Sequence, residues 1–454
     1  MPNEVMTMNR SKFQLTLGLA LAFAITISLA VSAQAQLKQL AELTDSDSDG
    51  YSDDFGGATA AAQPGAATEK TVLNFPASGA LGNTPGFGLI SDAAGNLYGV
   101  TTDGGFGYGS VYELSPTGNG GWTATSLYLF QPGEDGHYPV GGLVRDSSGN
   151  LYGTTEEGGS NLFCTNDWDV LPCGTVFELS PNGSGGWSEK ILFNFSQKDG
   201  YWPISSLIMD AAGNLYGTTP GGGEFGGGTA YELQRNGENW TETVLHSFGG
   251  AGDGSNTLNP LLLDASGNLY GAATQGGSGG GLVFKLLETD GGWREDILFE
   301  FTASATSPFA PDSGLIFGKG GSLYGILLDW NGTISGLGSV FELSPTSGGS
   351  WKETVLYTFA NKTDGDGPWG NLAFDSAGNL YGITTNGGSK GLGNVFELTP
   401  SASGAWTETV VHSFQGSPDG ATPNPGLLFS KGKLYGETSA GGSAGGGTVF
   451  EVTP

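Results

Sequence analysis

Apolar and polar positions alternate along most of this chain in short runs, and Gly-, Asn-, Asp- and Ser-rich joints separate the runs. In the stretch GLVRDSSGNLYGTTEEGGS…CGTVFELSPNGSGGWSEKILFNF the runs fall at Gly142–Asp146, Asn150–Thr155, Gly174–Ser180 and Trp187–Phe195. Short alternating runs between turn residues are a strand signature, and none has the length or the period of a helix. The joints carry turn chemistry. In DSSGN the Asp starts a turn and the Gly supplies a positive φ, and SPNGSGGW separates the last two runs in the same way.

The same unit recurs. GNLYG stands at 95–99, 149–153, 213–217, 267–271 and 378–382, with looser copies GSLYG at 321–325 and GKLYG at 432–436. Leu97, Leu151, Leu215, Leu269, Leu323, Leu380 and Leu434 are 54 residues apart, except for one gap of 64 and one of 57. Seven units of this size, each of four antiparallel strands joined by hairpins, predict an all-β fold: a seven-bladed β-propeller over 69–454. The ends of the repeat region complement each other. GTVFEVTP at the C-terminus is a third strand without a fourth, and EKTVLNF at 69–75 matches the fourth-strand pattern of KETVLYTF and TETVVHSF. The N-terminal strand is therefore expected to complete the last blade and close the ring, which removes the open sheet edges. An open solenoid is the alternative, but it needs capping units, and both ends read instead as halves of one blade. Repeat-wide residues such as Tyr98, Tyr152 and Tyr216 read as packing, as do Glu113, Glu178, Glu232, Glu342, Glu397 and Glu451 of the VFEL-type strand.

Composition sharpens this picture. The 83 Gly among 454 residues are about 18%, against a usual value near 7%, which alone would suggest a low-complexity chain. The 10 Trp, 15 Tyr and 25 Phe, recurring at fixed period, oppose that reading, because disordered tracts lack such core-forming groups. With 45 acidic and 16 basic side chains the formal charge is −29. Phosphate binding needs a basic footprint, so nucleic acid is excluded as a partner, and an anionic membrane surface is disfavoured. Arg10 and Lys12 precede FQLTLGLALAFAITISLAVSA and the small-residue exit Ala33-Gln34-Ala35. Residues 1–35 thus have the plan of a secretory signal peptide; an uncleaved anchor is the alternative. The mature chain is expected outside the cytoplasm, secreted or in the cell envelope, as a monomer without a membrane span. Cys164 and Cys173 are the sole cysteines, and an oxidising compartment favours a disulfide between them; a metal site is the weaker alternative, since no His lies nearby. Closing so small a loop contributes about 2–3 kcal/mol on the chain-entropy model.

On the residues GNLYGTTxxGG…GTVFEL, in seven copies over about 69–454, the chain resembles the GloVer repeat of the bacterial choice-of-anchor tandem repeat GloVer-containing proteins. The strand grammar is also similar to that of NHL-type propellers, which implies an interaction module. The GloVer resemblance implies an exported protein, often held at the surface by a C-terminal sorting signal. This chain ends in a strand instead, which favours release or retention by the N-terminal segment. The resemblance transfers no catalytic residue.

Function is expected where units depart from the pattern. If strands alternate in direction, the loops between second and third strands share a face with the blade-to-blade loops. The blade-to-blade loops offer His137, Tyr138, Tyr201, Trp202 and Trp369; the inner loops offer Phe106, Tyr108, Trp168, Phe225 and Trp330. Asp103, Glu156, Glu157, Asp167, Asp169, Glu224 and Asp329 stand nearby. Aromatic faces beside carboxylates suit a glycan, and Trp and Tyr also suit an extracellular protein partner. Plugging the gaps between loops is the plain structural alternative for these aromatics. The ligand-binding candidates are Tyr138, Tyr201, Trp202, Trp369, Trp168, Trp330, Asp103, Glu156 and Glu157. A carbohydrate-active enzyme, lyase or hydrolase, is the alternative function, and a structural adhesin a third; no residue is assigned a catalytic role. His246 and His412 stand where other units have Phe193, Phe299 or Tyr357, and read as packing. Separately, Asp45, Asp47, Asp49 and Asp53 in DSDSDGYSDD have calcium-loop spacing around Gly50, although Gly56 stands where an EF-hand places its closing Glu. That makes Ca2+ the one candidate cofactor, against a solvated acidic linker as the alternative. The segment 36–68 is read as this acidic stretch followed by an Ala/Gly linker.

Overall fold

The computed structural model describes residues 67–79, 81–133, 135–160, 164–165, 170–303, 310–328, 338–360 and 363–454. The expected signal segment, the Asp45–Asp53 motif, Trp168 and Trp330 lie outside the described residues. The chain divides into Met1–Pro64 and Gly65–Pro454, and the second unit is the one described below. Among the described residues no helix is long and apolar enough to cross a membrane.

Seven antiparallel sheets follow one another, each with its second, third and fourth strands in hairpin order. In blade 1 these are Leu97–Asp103, Ser110–Pro116 and Trp122–Leu129, with the short pieces Asn83–Pro85 and Ile90–Ser91 on the first edge. Blade 7 is built differently. Its fourth strand is Thr68–Pro76, paired antiparallel with Gly445–Thr453 in the register Thr68↔Thr453 to Pro76↔Gly445. The sequence expectation of a seven-bladed propeller closed by its N-terminal strand thus describes the molecule.

Each letter of the LYG word has a physical cause. The Leu is at most 1% exposed in all seven copies. The Gly pairs across the sheet with the aromatic of the VFEL-type strand, as Gly153 with Phe177 and Gly382 with Phe396. A Cβ on Gly382 would stand 2.4 Å from the tip of the Phe396 ring, so the ring fills the missing side chain's place. The Tyr closes the preceding turn. In blade 1 the Asp92 carboxylate accepts from the Gly95 and Asn96 N–H groups, from Asn96 Nδ2 and from the Tyr98 hydroxyl. These donors hold the Asp92 carboxyl below its ordinary range, against the opposing effect of burial. Gly95, at φ +93°, makes the turn possible.

The core lies between blades. The terminal aromatic of each blade's fourth strand meets the VFEL-type aromatic of the next: Phe130–Phe177, Phe195–Tyr231, Phe248–Phe284, Phe301–Phe341, Phe359–Phe396 and Phe414–Phe450, with ring centroids 4.9–5.3 Å apart. The seventh contact is Phe75–Tyr112 at 5.3 Å, which returns from blade 7 to blade 1. Each such pair contributes roughly 0.5–1.5 kcal/mol beyond its area burial.

Two of the seven aromatics are Tyr, and their hydroxyls fare differently. Tyr112 Oη lies 2.5 Å from Glu437 Oε1 across the closing seam, and the Gly88 N–H donates to the other carboxylate oxygen at 3.2 Å. Tyr231 is equally buried, but its hydroxyl has no hydrogen-bond partner among the described residues. The same substitution should therefore have opposite consequences. Tyr112→Phe should cost about 1–3 kcal/mol, because it strands a buried carboxyl; Tyr231→Phe should leave stability unchanged or raise it by about 1 kcal/mol. Urea unfolding of the two variants checks this, and equal losses would refute it.

Candidate functional site

The two sets of loops do share one face. The Tyr138 N–H donates to Tyr108 O at 3.0 Å, and the Glu156 N–H to Tyr138 O at 3.1 Å. Glu157 pairs with His137 in a two-residue ladder, and the Tyr201 N–H donates to Gly221 O at 2.9 Å. Among the described residues, six blade-to-blade loops share one backbone feature at the place where the loop meets the blade before. The residue there has a left-handed backbone: Thr84 (φ +52°), Tyr138 (+58°), Trp202 (+59°), Asn256 (+61°) and Thr422 (+52°), with Gly367 (+63°) in blade 6. In four of them the N–H reaches the preceding blade: Tyr138 as above, Trp202 to Cys173 O at 3.0 Å, Asn256 to Gly227 O at 3.0 Å and Thr422 to Leu392 O at 2.9 Å. The clip demands positive φ whatever the residue. Small or short polar residues meet that demand at least cost, and bulky ones are outliers there. Strain of this kind costs of order 1–3 kcal/mol and clusters at ligand sites. Tyr138 and Trp202, on neighbouring blades, are the two positions where the strain carries a large aromatic ring.

Around them stand further rings and acids. Tyr108 lies against His137 at 4.3 Å, with Tyr138 6.3 and 6.2 Å from these two, and Tyr201 meets Trp202 edge-on at 5.0 Å. The blade 2 loop that holds Glu156 and Glu157 also leads to Cys173, whose carbonyl holds Trp202, so it connects the two aromatic positions. Cys164 and Cys173 are joined by a disulfide, with Cα atoms 5.2 Å apart. Burial pushes the Glu156 carboxyl up to about 7, helped by the charge of Glu157, and burial alone raises Glu157 and Asp103. Burial lowers His137. The Tyr138 hydroxyl is pushed up to about 12 by burial first, then by Glu157, Asp103, Tyr108 and Glu156. The site thus gathers Asp103, Tyr108, His137, Tyr138, Glu156 and Glu157 from two blades. Its carboxyls hold protons more tightly than usual, and its charge at neutral pH is less negative than its composition suggests. His137 Nε2 and Trp202 Nε1 are buried without a partner among the described residues.

Trp369 does not belong to this group. It sits within the strand Asp366–Phe374, pairs with Ile383, and its ring meets Phe87 at 5.2 Å. Phe87 belongs to blade 1 and Trp369 to blade 6, which are not neighbours, so the contact lies toward the propeller axis. The position shifts because Gly367 occupies the left-handed place that Tyr138 and Trp202 hold elsewhere. Phe106 and Phe225, 60% and 56% exposed, project at the loop tips.

Several polar residues were not legible as site candidates. Glu437 is 1% exposed, and its carboxyl is raised to about 8 by burial, despite the Tyr112 and Gly88 donors. It follows the seventh LYG, where the other copies have Val100, Thr154, Thr218, Ala272, Ile326 and Ile383; that break in pattern was its signal. Asp312, 4% exposed and raised by burial to about 6, sits beside Asn259. His246 and His412, expected as packing residues, pack edge-on against Phe248 and Phe414, yet each also meets an acid: Asp253 at 3.0 Å and Asp419 at 3.1 Å. Tyr128 and Tyr357 do the same at equivalent places, with Asp135 and Asp364.

The sequence family described as the Gloeobacter/Verrucomicrobia repeat matches residues 171–333 and 311–454. No curated protein matches the chain. Among solved structures, a crystal structure of a protein of unknown function from Dyadobacter fermentans DSM 18053 is similar at 9% identity, with 85% of this chain and 98% of that chain covered and a TM-score of 0.42.

Proposed function

This chain belongs to the Gloeobacter/Verrucomicrobia repeat family, and from that premise we propose that it is an exported binding module that takes a neutral glycan on the Tyr138–Trp202 sector of its loop face. One observation carries the reading. At the left-handed clip position Tyr138 and Trp202 are large rings where four other blades place Thr84, Asn256, Gly367 and Thr422. Two flat faces on neighbouring blades, joined by a loop bearing two carboxyls, suit sugar rings whose hydroxyls both donate and accept. The raised Glu156 carboxyl supports a ligand without positive charge, since a protonated acid can donate to a hydroxyl or accept from one. Export rests on the N-terminal segment and on the disulfide, which suits an oxidising compartment. The exposed Phe106 and Phe225 favour a protein partner as the second reading.

A glycan array followed by calorimetry tests the proposal. Trp202→Ala and Tyr138→Ala should each weaken the best neutral glycan at least tenfold, about 1.4 kcal/mol, with the melting temperature preserved. Recovery of the glycan intact separates binding from turnover. An array without signal, or affinity unchanged in both variants, sinks this reading.

A further inference from the structure

The end of the propeller opposite the loop face carries a cavity at the seam where the ring closes. A groove of about 370 Å³ is bounded by the closing strand, the first turn of blade 7 and the turns of blade 1. Its floor is Trp122 and Tyr435, with ring centroids 6.1 Å apart. Its rim is Lys70, Lys431 and Lys433, three of the sixteen basic residues of a chain whose net charge is −29.

The floor is ordinary scaffold, since all seven repeats have such a Tyr and six have such a Trp. The lysines are not. Five repeats make this turn with an Asp that is answered four residues later by an Asn, as Asp146 is by Asn150. Blade 7 reads SKGK instead: the acid is gone, and Lys433 stands where the Asn was. Ser430 pairs directly with Lys433, so the turn has two central residues, and both have positive φ: Lys431 at +52° and Gly432 at +78°. Such turns select Asn, Asp or Gly at the first of these places. A Lys there costs backbone strain, and the side chain it gains reaches over the blade 1 turn toward Ala93 O at 3.4 Å. Lys70 donates to Gly120 O, and Lys433 to Glu451 Oε1, each at 2.5 Å. An ammonium carries three N–H donors, so each lysine keeps donors for a ligand. Glu451 offsets one of the three charges, leaving the lining net positive. At physiological salt the screening length is about 8 Å, so a ligand in the groove responds to these lysines before the acidic remainder of the surface.

We propose that this groove binds a small carboxylated sugar of the uronic-acid class. Its ring face would lie on one of the two aromatic rings, which meet edge-on at 77°, and its carboxylate between Lys431 and Lys433. The volume is at the lower end for ligand pockets, which suits one or two rings. The site is separate from the Tyr138–Trp202 sector and does not rest on it.

Calorimetry of the full chain with digalacturonate tests the proposal, with neutral galactobiose and inorganic phosphate as comparisons. Digalacturonate should bind, weaken as salt rises, and lose at least tenfold in affinity in the Lys431→Asn/Lys433→Asn variant. That pair restores residues the turn itself prefers, so the melting temperature should hold; Lys433→Gln alone serves if it does not. Tyr138→Ala should leave digalacturonate binding unchanged. Absence of binding, equal binding of galactobiose, equal binding of phosphate as an anion alone, retention of affinity in the lysine variants, or loss of it in Tyr138→Ala would each overturn the assignment.

Discussion

Removing residues 68–76 should leave a chain that no longer melts cooperatively. The closing strand supplies the fourth strand of blade 7, and it is the sole partner of the outer edge of Gly445–Thr453. Its loss exposes that edge, a template for aggregation, and opens the cluster in which Phe75, Tyr435 and Val449 of blade 7 pack on Leu89, Leu97 and Tyr112 of blade 1. The damage is not confined to one blade, because a ring without one wall loses an interface on both its neighbours' behalf. Phe75 alone is fully buried, and Phe75→Ala should cost about 3–5 kcal/mol. The full deletion should exceed that and yield aggregated or protease-sensitive protein. Adding a synthetic peptide of sequence TEKTVLNFP should restore solubility and a cooperative melt, since strand pairing needs no covalent link. A truncated chain that melts like the parent, measured by calorimetry, would falsify ring closure as the source of stability.

This much was legible because the repeat writes the same strand grammar seven times, and because a third strand at one end and a fourth at the other can be matched by eye. The loop face was legible for the same reason: antiparallel strands sort their connections onto two ends by counting. Trp369 reads as a loop residue because DGDGPWG is similar to DGHYPV, and the sequence does not show which residue turns left-handed. Gly367 takes that place, and Trp369 falls at the register of Val140, one step inside the strand. The acids between blades were hidden by a different cause. Glu189, Glu242, Glu295 and Glu408 each follow a Trp by two residues in an alternating outer strand, a pattern that reads as solvent-facing. Their partners come from the preceding blade, and no property of a single strand announces what the next blade lays over it. The lysine turn at 430–433 was visible as a looser copy of the word, but its meaning depends on the cavity that ring closure creates beside it.

Those hidden acids give the propeller a stability that should fall as pH rises from 5.5 to 8. Glu189 faces Asp135, Glu242 faces Asp199, Glu295 faces Asp253 and His246, and Glu408 faces Asp364; in each pair burial is the larger cause that pushes the Glu up to about 7. The inner oxygen of each of these Glu side chains meets no hydrogen-bond partner among the described residues. Glu437, wholly buried at the seam, is raised to about 8. A carboxyl with a raised folded-state pKa binds its proton more tightly folded than unfolded. Its contribution is complete below the unfolded value near 4.5 and is lost as the pH climbs through the folded value. One pKa step corresponds to about 1.4 kcal/mol, but the four outer Glu are part-exposed and screened, which reduces each to about 1 kcal/mol. With Glu437 the sum is several kcal/mol over this window. His246 acts in the same direction, since Asp253 and Glu295 raise it against burial and its charged form is lost as pH rises. The lowered Asp92, Asp264 and Asp419 act only below about pH 4, outside the window, while His137, lowered by burial, opposes the trend inside it as a single group. Calorimetry across pH 5.5–8 should show the melting temperature falling throughout, the reverse of ordinary acid unfolding. Glu242→Gln should flatten part of that slope by raising stability at pH 8 while changing little at pH 5.5. A melting temperature that is flat or rises over this range would show that these carboxyls are ionised in the fold and that the seams between blades tolerate paired charge.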